Sequence, residues 1–268
     1  MKTLMSLASL TFVILFEFLI PAVSPLLSTD SAGAHAALCS ESSPETNNHC
    51  AQLEAQILNA TARVYFQTWV VTDDETGYEM YESVGHATVK DGRYLVTHNH
   101  TEIPLSIRQR AGDPDAYTKI FLYNAAGELQ HEGPLTDFSI IVEDTETLVF
   151  MHKENGFLAS LGFTSATFRS WETLPLAAGM EVAQIDWDGE RASVKWVSVT
   201  DITVEMGVPR ITLAGGAMAG ASGGGIFLEG THIANNWRVK MTLDSMENVI
   251  DQTTTAALNS QLVASVLP

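Results

Sequence analysis

Between residues 61 and 151, apolar and polar positions alternate in short runs punctuated by Gly, Asp and Asn, the period of strands that bury one face of a sheet. Residues 64–72, 81–89, 93–97, 119–123, 138–142 and 147–151 are six predicted strands, enough for one closed barrel. A second set follows at 181–187, 192–199, 211–213, 225–228 and 232–239, with 152–160 as the crossing between the sets. Residues 50–61 have helical composition, with Leu53, Ile57 and Leu58 on one side. Residues 246–267 read as a terminal helix packing on one of the sets. The pattern predicts an all-β chain of two sheets flanked by a short N-terminal and a C-terminal helix.

The first 36 residues break this pattern and read as an export signal. Lys2 supplies a positive start, residues 4–20 an apolar run, and Ala34-His35-Ala36 a small-residue cleavage site, so that the mature chain would begin near Ala37 and be secreted or periplasmic. An uncleaved membrane anchor is the runner-up, disfavoured because an uninterrupted span of about 20 apolar residues is missing. Residues 37–60 form an N-terminal extension, 61–151 the first β domain, and 152–268 the second with its helix.

Charge narrows the range of partners. With 14 Lys and Arg against 32 Asp and Glu, the net charge is −18, and nucleic acid is excluded because phosphate binding needs clustered bases. The two cysteines, Cys39 and Cys50, stand far in sequence from any candidate site. They are a candidate disulfide in an oxidising compartment, although spacing alone does not decide the bond.

Three segments carry candidate chemistry. Gly220-Ala221-Ser222-Gly223-Gly224-Gly225 sets one serine in a glycine nest before an apolar strand, where converging backbone N–H groups could hold an oxyanion. Tyr94-Leu95-Val96-Thr97-His98-Asn99-His100 is a strand that delivers imidazoles at its exit, with His100 the candidate base. Asp137 directly precedes the apolar run Phe138-Ser139-Ile140-Ile141-Val142, where a carboxylate could fix an imidazole tautomer. Each alone is ordinary: a tight turn, a surface histidine pair, a turn aspartate.

Together, in the order His, Asp, Ser, these segments resemble the trypsin-like (chymotrypsin-fold) serine proteases over about residues 60–245. Thr97-His98-Asn99-His100 resembles the family's Thr-Ala-Ala-His, Asp137-Phe138-Ser139-Ile140-Ile141 its Asp-Ile-Ala-Leu-Leu, and Gly220–Gly225 its Gly-Asp-Ser-Gly-Gly-Pro. Ala221 departs from the acid that pairs with a new N-terminus in zymogen-activated members, and Gly225 from the usual proline. The resemblance is therefore closer to the bacterial-type branch that needs no zymogen cleavage. It implies two packed antiparallel six-stranded β-barrels and a serine endopeptidase with a His100–Asp137–Ser222 triad. It further implies an oxyanion hole from the N–H groups of Gly220 and Ser222, a P1 pocket floored by Gly216 and walled near Asn235, Asn236 and Trp237, and no cofactor or metal. With no acid at Gly216, small or apolar P1 residues are expected over Arg or Lys in the protein or peptide substrate.

Two rival readings stay open. His98-x-His100 also resembles the His-x-His-x-Asp-His motif of metallo-β-lactamase-like hydrolases, with Glu102 for Asp and Ile103 for the closing His. The other rival is a non-catalytic exported binding module on the same fold.

Overall fold

The computed structural model describes residues 39, 44–71, 77–98, 116–143, 146–205, 207–218, 220–243 and 249–265. The predicted export signal and His100 lie outside them. Helix α1 (Pro44–Asn59) opens the described fold. A disulfide from Cys39 to Cys50 ties the preceding residue to it, and Glu54 accepts a 2.7 Å bond from the Trp196 indole N–H. Its buried Ile57 joins a cluster with Val96, Ala183, Ile185 and Phe227, side chains from both sheets.

The first sheet holds seven antiparallel strands: β1 (Thr61–Val71), β2 (Tyr78–Lys90), β3 (Tyr94–His98), β4 (Ala116–Tyr123), β5 (Leu129–Pro134), β6 (Phe138–Glu143) and β7 (Thr147–His152). Their order is β5-β4-β1-β2-β3-β7-β6. The edge strands β5 and β6 are consecutive in sequence and joined only by a 3-10 turn, Leu135–Asp137, so the sheet curls on itself. Alternation puts Ala62, Val64 and Phe66 of β1 inside. They pack with Leu95, Ile120 and Phe150 of the facing strands.

After helix α2 (Phe157–Ser160), the second sheet comprises β8 (Thr167–Phe168), β9 (Glu181–Trp187), β10 (Ala192–Glu205), β11 (Val208–Ala214), β12 (Gly225–Leu228), β13 (Thr231–Asn235), β14 (Arg238–Leu243) and β15 (Val249–Ala257). The order is β14-β15-β11-β10-β9-β12-β13-β8. All pairs are antiparallel except β8 with β13. A bridge between Ala234 and Leu258 links β13 to the residue after β15, so this sheet also curls. The chain is thus all-β in class, two curled antiparallel sheets with few helices.

Three local expectations are corrected. Residues 249–257 form a strand rather than a terminal helix, and helix α3 is confined to Gln261–Ser265. The run Thr253-Thr254-Thr255 is β-branched and pairs with both β11 and β14, with Thr254 and Ala256 fully buried; these tertiary pairings outweigh the helical preference of Ala256, Ala257 and Leu258. The expected strand 232–239 is two strands broken at Asn236-Trp237. Strand β5 was not expected at all: Gln130-His131-Glu132-Gly133-Pro134 is polar, and its Pro is tolerated because the strand lies at an edge.

Candidate active site

Ser222 sits half-buried where the two sheets meet. Its loop is gripped from both sides. From the second sheet, Asn236 donates from its side-chain amide to Ile185 O at 2.7 Å and to Ala221 O at 3.2 Å. The Asn236 backbone accepts from Gly223 N and donates to Gly224 O. Asn236 is itself held by Gln184, whose amide donates to Asn236 Oδ1 at 2.8 Å and to Thr254 Oγ1 at 2.9 Å. From the first sheet, His86 N donates to Ser222 O at 2.7 Å, and His86 Nδ1 lies 2.9 Å from Gly220 O.

The contact is close enough to require glycine. A Cβ on Gly223 would lie 2.2 Å from Thr97 Oγ1 and 2.4 Å from His86 O, and its φ of +78° is a left-handed conformation in which L side chains are strained. The exit of β3 at Thr97-His98 therefore abuts the serine loop directly, with the His98 ring 6.3 Å from that of Trp237.

Within this loop the three carbonyls of Gly220, Ala221 and Ser222 all point into the protein, taken by His86 Nδ1, by Asn236 Nδ2 together with Gly224 N, and by His86 N. The N–H groups of Ala221, Gly223 and Gly224 are likewise engaged, by Met218 O, Asn236 O and Ala221 O. Among the described residues, those of Gly220 and Ser222 are the two in the loop with no backbone acceptor.

His86 is fully buried in β2. A carbonyl can only accept, so Nδ1 carries the proton. Burial first, and then the charge of Arg63 on β1, push its imidazole down to about 4, with the bond to Gly220 opposing both. The ring packs on Trp187 at 5.3 Å, and the Arg63 guanidinium lies 4.3 Å from the centroid of the same indole.

Asp137 does not reach this place. Strand β3 runs antiparallel to β7, pairing His98 with Thr147 and Tyr94 with Met151. Strand β6 in turn pairs Phe138 with His152. Asp137 thus lies at the far end of β7, five strand residues from Thr147, or about 17 Å at ordinary strand rise. There it is exposed, with its carboxylate 3.7 Å from Lys153 Nζ. His100, its expected partner, lies outside the described residues; the 138–142 run lies beyond β7 in the sheet and does not pair with β3.

The carboxylate at the serine end is Glu146, immediately before Thr147. It is 3% exposed and forms an ion pair with Arg210, equally buried on β11. Arg210 lies 4.4 Å from the centroid of Trp237, the residue beside His98, and its Nε is 3.0 Å from Glu205. Sequence reasoning missed Glu146, although Glu146-Thr147-Leu148-Val149-Phe150 carries the same signal as Asp137-Phe138-Ser139-Ile140-Ile141. It missed His86 too, which nothing in the sequence marks.

The expected pocket residues fare unevenly. Asn235 and Asn236 are buried with their side chains committed inward, Asn235 to His232 Nε2 at 3.1 Å and Asn236 to Ile185 O and the loop. Trp237 is half-buried, with the guanidinium groups of Arg210 and Arg238 at 4.4 and 4.5 Å from its centroid. Gly216 lies under the Gln252 side chain, which a Cβ would meet at 2.2 Å. Its carbonyl accepts from Lys195 Nζ at 3.2 Å. Among the described residues, no group of three or more His, Cys, Asp or Glu is placed to hold a metal ion, and no helix is long and apolar enough to cross a membrane.

Compared with protein-family models and with curated proteins, the sequence finds no match.

Proposed function

We propose that the chain is an exported serine endopeptidase of the trypsin-like kind, with Ser222 as nucleophile, His100 as base and Glu146, in place of Asp137, as the orienting carboxylate. The observation that carries this reading is the loop's hydrogen-bond pattern. Three successive carbonyls are tied inward, and among the described residues the N–H groups of Gly220 and Ser222 have no backbone acceptor, which leaves them to bind an oxyanion in this reading. In the reaction, Ser222 Oγ gives its proton to His100 and attacks the peptide carbonyl carbon. The oxyanion rests on the N–H groups of Gly220 and Ser222; His100 then returns the proton to the leaving amine, and water releases the acyl group.

The strand order supports a pair of six-stranded barrels if β5 and β6 count as one strand bent at Leu135–Asp137, β13 and β14 count as one strand broken at Asn236-Trp237, and the two-residue β8 at the edge of the second sheet is left out of the six. In that frame Glu146 immediately precedes β7, the strand paired with β3, and so stands at the serine end of the sheet. If Gly216 floors the P1 pocket, the Lys195 ammonium, which donates to Gly216 O, would set a cation there. This disfavours Arg and Lys and suits apolar or acidic P1 side chains.

A fluorophosphonate probe tests the reading. One adduct per folded molecule, mapped to Ser222 and absent in Ser222→Ala, is expected. A folded parent protein that takes no label overturns it.

A further inference from the structure

From the first sheet, His86 grips the serine loop at two points, through its backbone N–H on Ser222 O and its ring on Gly220 O. Ala221, fully buried, offers no charge by which an ion pair could hold this loop. Glycine at 220, with φ +97°, leaves the adjoining peptide planes free to rotate unless something fixes the carbonyl. We propose that His86, reaching across from the first sheet, is the positioning residue that sets the Gly220 peptide and thereby aims the loop's free N–H groups at the site where an oxyanion would form.

The geometry gives the mechanism. If the Gly220 carbonyl swung outward, it would leave a buried imidazole N–H without an acceptor, and that orphaned donor opposes the swing. The ring cannot follow, because Trp187 packs against it and Arg63 stands beside that indole. Trp187 also closes the other side: a Cβ at Gly220 would meet its Cδ1 at 2.8 Å. Burial supports the arrangement, since it keeps the imidazole neutral and its single proton on Nδ1 at ordinary pH. The strut thus needs no ion pair and no chain cleavage, and it makes the loop's shape depend on the seating of one sheet against the other.

The catalytic consequence rests on the hydrolase reading above, whereas the positioning role does not, and the experiment separates them. Amide hydrogen exchange is followed at Ala221, Gly223 and Gly224 in the parent, in His86→Leu, which lacks the donor, and in His86→Asn, whose amide nitrogen stands where Nδ1 does. His86→Leu should speed exchange at these amides by about tenfold, the scale of one lost hydrogen bond, while strands β9 and β12 keep their protection and His86→Asn recovers most of the loss. The rate of Ser222 labelling should fall by about the same factor in His86→Leu and recover in His86→Asn. Unchanged loop exchange in folded His86→Leu overturns the proposal. So does a nitrogen-15 spectrum of the parent placing the His86 proton on Nε2, a measurement that serves even where the leucine variant fails to fold. Exchange that responds as expected in a parent that takes no label would uphold the strut and sink the hydrolase.

Discussion

Asp137 and Glu146 are both carboxylates set one residue before an apolar strand, yet they occupy opposite ends of the same sheet and opposite physical circumstances. Asp137 faces water beside Lys153, its side chain 41% exposed. Glu146 is sealed between the sheets against Arg210, with Trp237 and His98 next in line. Local pattern identifies what can be catalytic, and strand register decides which of the candidates lies at the serine end of the sheet. The difference is also one of tolerance. At the Glu146 end the chains approach within the radius of a methyl group, as at Gly223 against Thr97. Near the Asp137 end Gly156 has nothing within 4 Å of where a Cβ would stand.

The largest effect should come from Glu146. In Glu146→Gln the buried Arg210 charge keeps only the solvent-exposed Glu205 as a partner, and breaking one end of a buried pair typically costs about 3–5 kcal/mol, which Glu205 would lessen. The imidazole would also lose the group proposed to fix its tautomer, lowering turnover by roughly 10³- to 10⁴-fold on the precedent of the general triad. Chemical denaturation and the rate of fluorophosphonate labelling read the two separately. Labelling as fast in a folded Glu146→Gln as in the parent would remove Glu146 from the site.

The same end should be the acid-sensitive one. His86 is held at about 4 by burial, and the unfolded chain restores it to near 6.5. Between those values the unfolded state binds a proton that the native state refuses. Stability is therefore complete above about pH 6.5 and declines as pH falls toward 4, by on the order of 3 kcal/mol for this group. His232, pushed down to about 3 by its full burial, adds a similar slope that reaches lower. Unfolding free energies measured from pH 7 to pH 4 should therefore fall less steeply in His86→Asn, by about one proton's worth, than in the parent. Parallel curves would mean that His86 titrates normally and is not sealed in the seam.

How much of this was legible follows from what sequence patterns encode. The alternation of 61–151 located most strands of the first sheet, because one face of each is buried and the period of two is written directly in residue type. The glycine nest around Ser222 was equally visible, since close approach and positive φ leave only glycine possible. Register was not visible. Strand β5, polar and ending in Pro134, gave no signal, and nothing in residue type separates the acid before the 138–142 run from the acid before the 147–151 run. The C-terminal strand was hidden for a related reason. Ala256-Ala257-Leu258 has helical preference in isolation, and only the pairing of Ala256 and Ala257 with β11 and the bridge from Leu258 to Ala234 make it extended. His86 could not be read at all, because its role depends on a loop 134 residues away.

The smallest effect is predicted at Asp137, and its smallness is the point. An exposed carboxylate 3.7 Å from a lysine that is itself 61% exposed contributes little, because water screens the attraction and both side chains lose freedom in making it. The nearby His131 imidazole is pushed down by burial and by His152, with Asp137 and Glu132 partly offsetting both. Asp137→Asn should thus change stability by less than about 0.5 kcal/mol, within the usual range for surface substitutions. Its labelling rate should stay within about twofold of the parent's, far from the loss expected of a triad member. The backbone bond from Lys153 N to Asp137 O is untouched by the substitution, so the turn before β6 keeps its shape and the comparison is clean. A loss of several thousandfold in this variant would place the working carboxylate 17 Å from where the register puts it, roughly five strand residues away, and would mean that β6 and β7 pair differently from the arrangement described above.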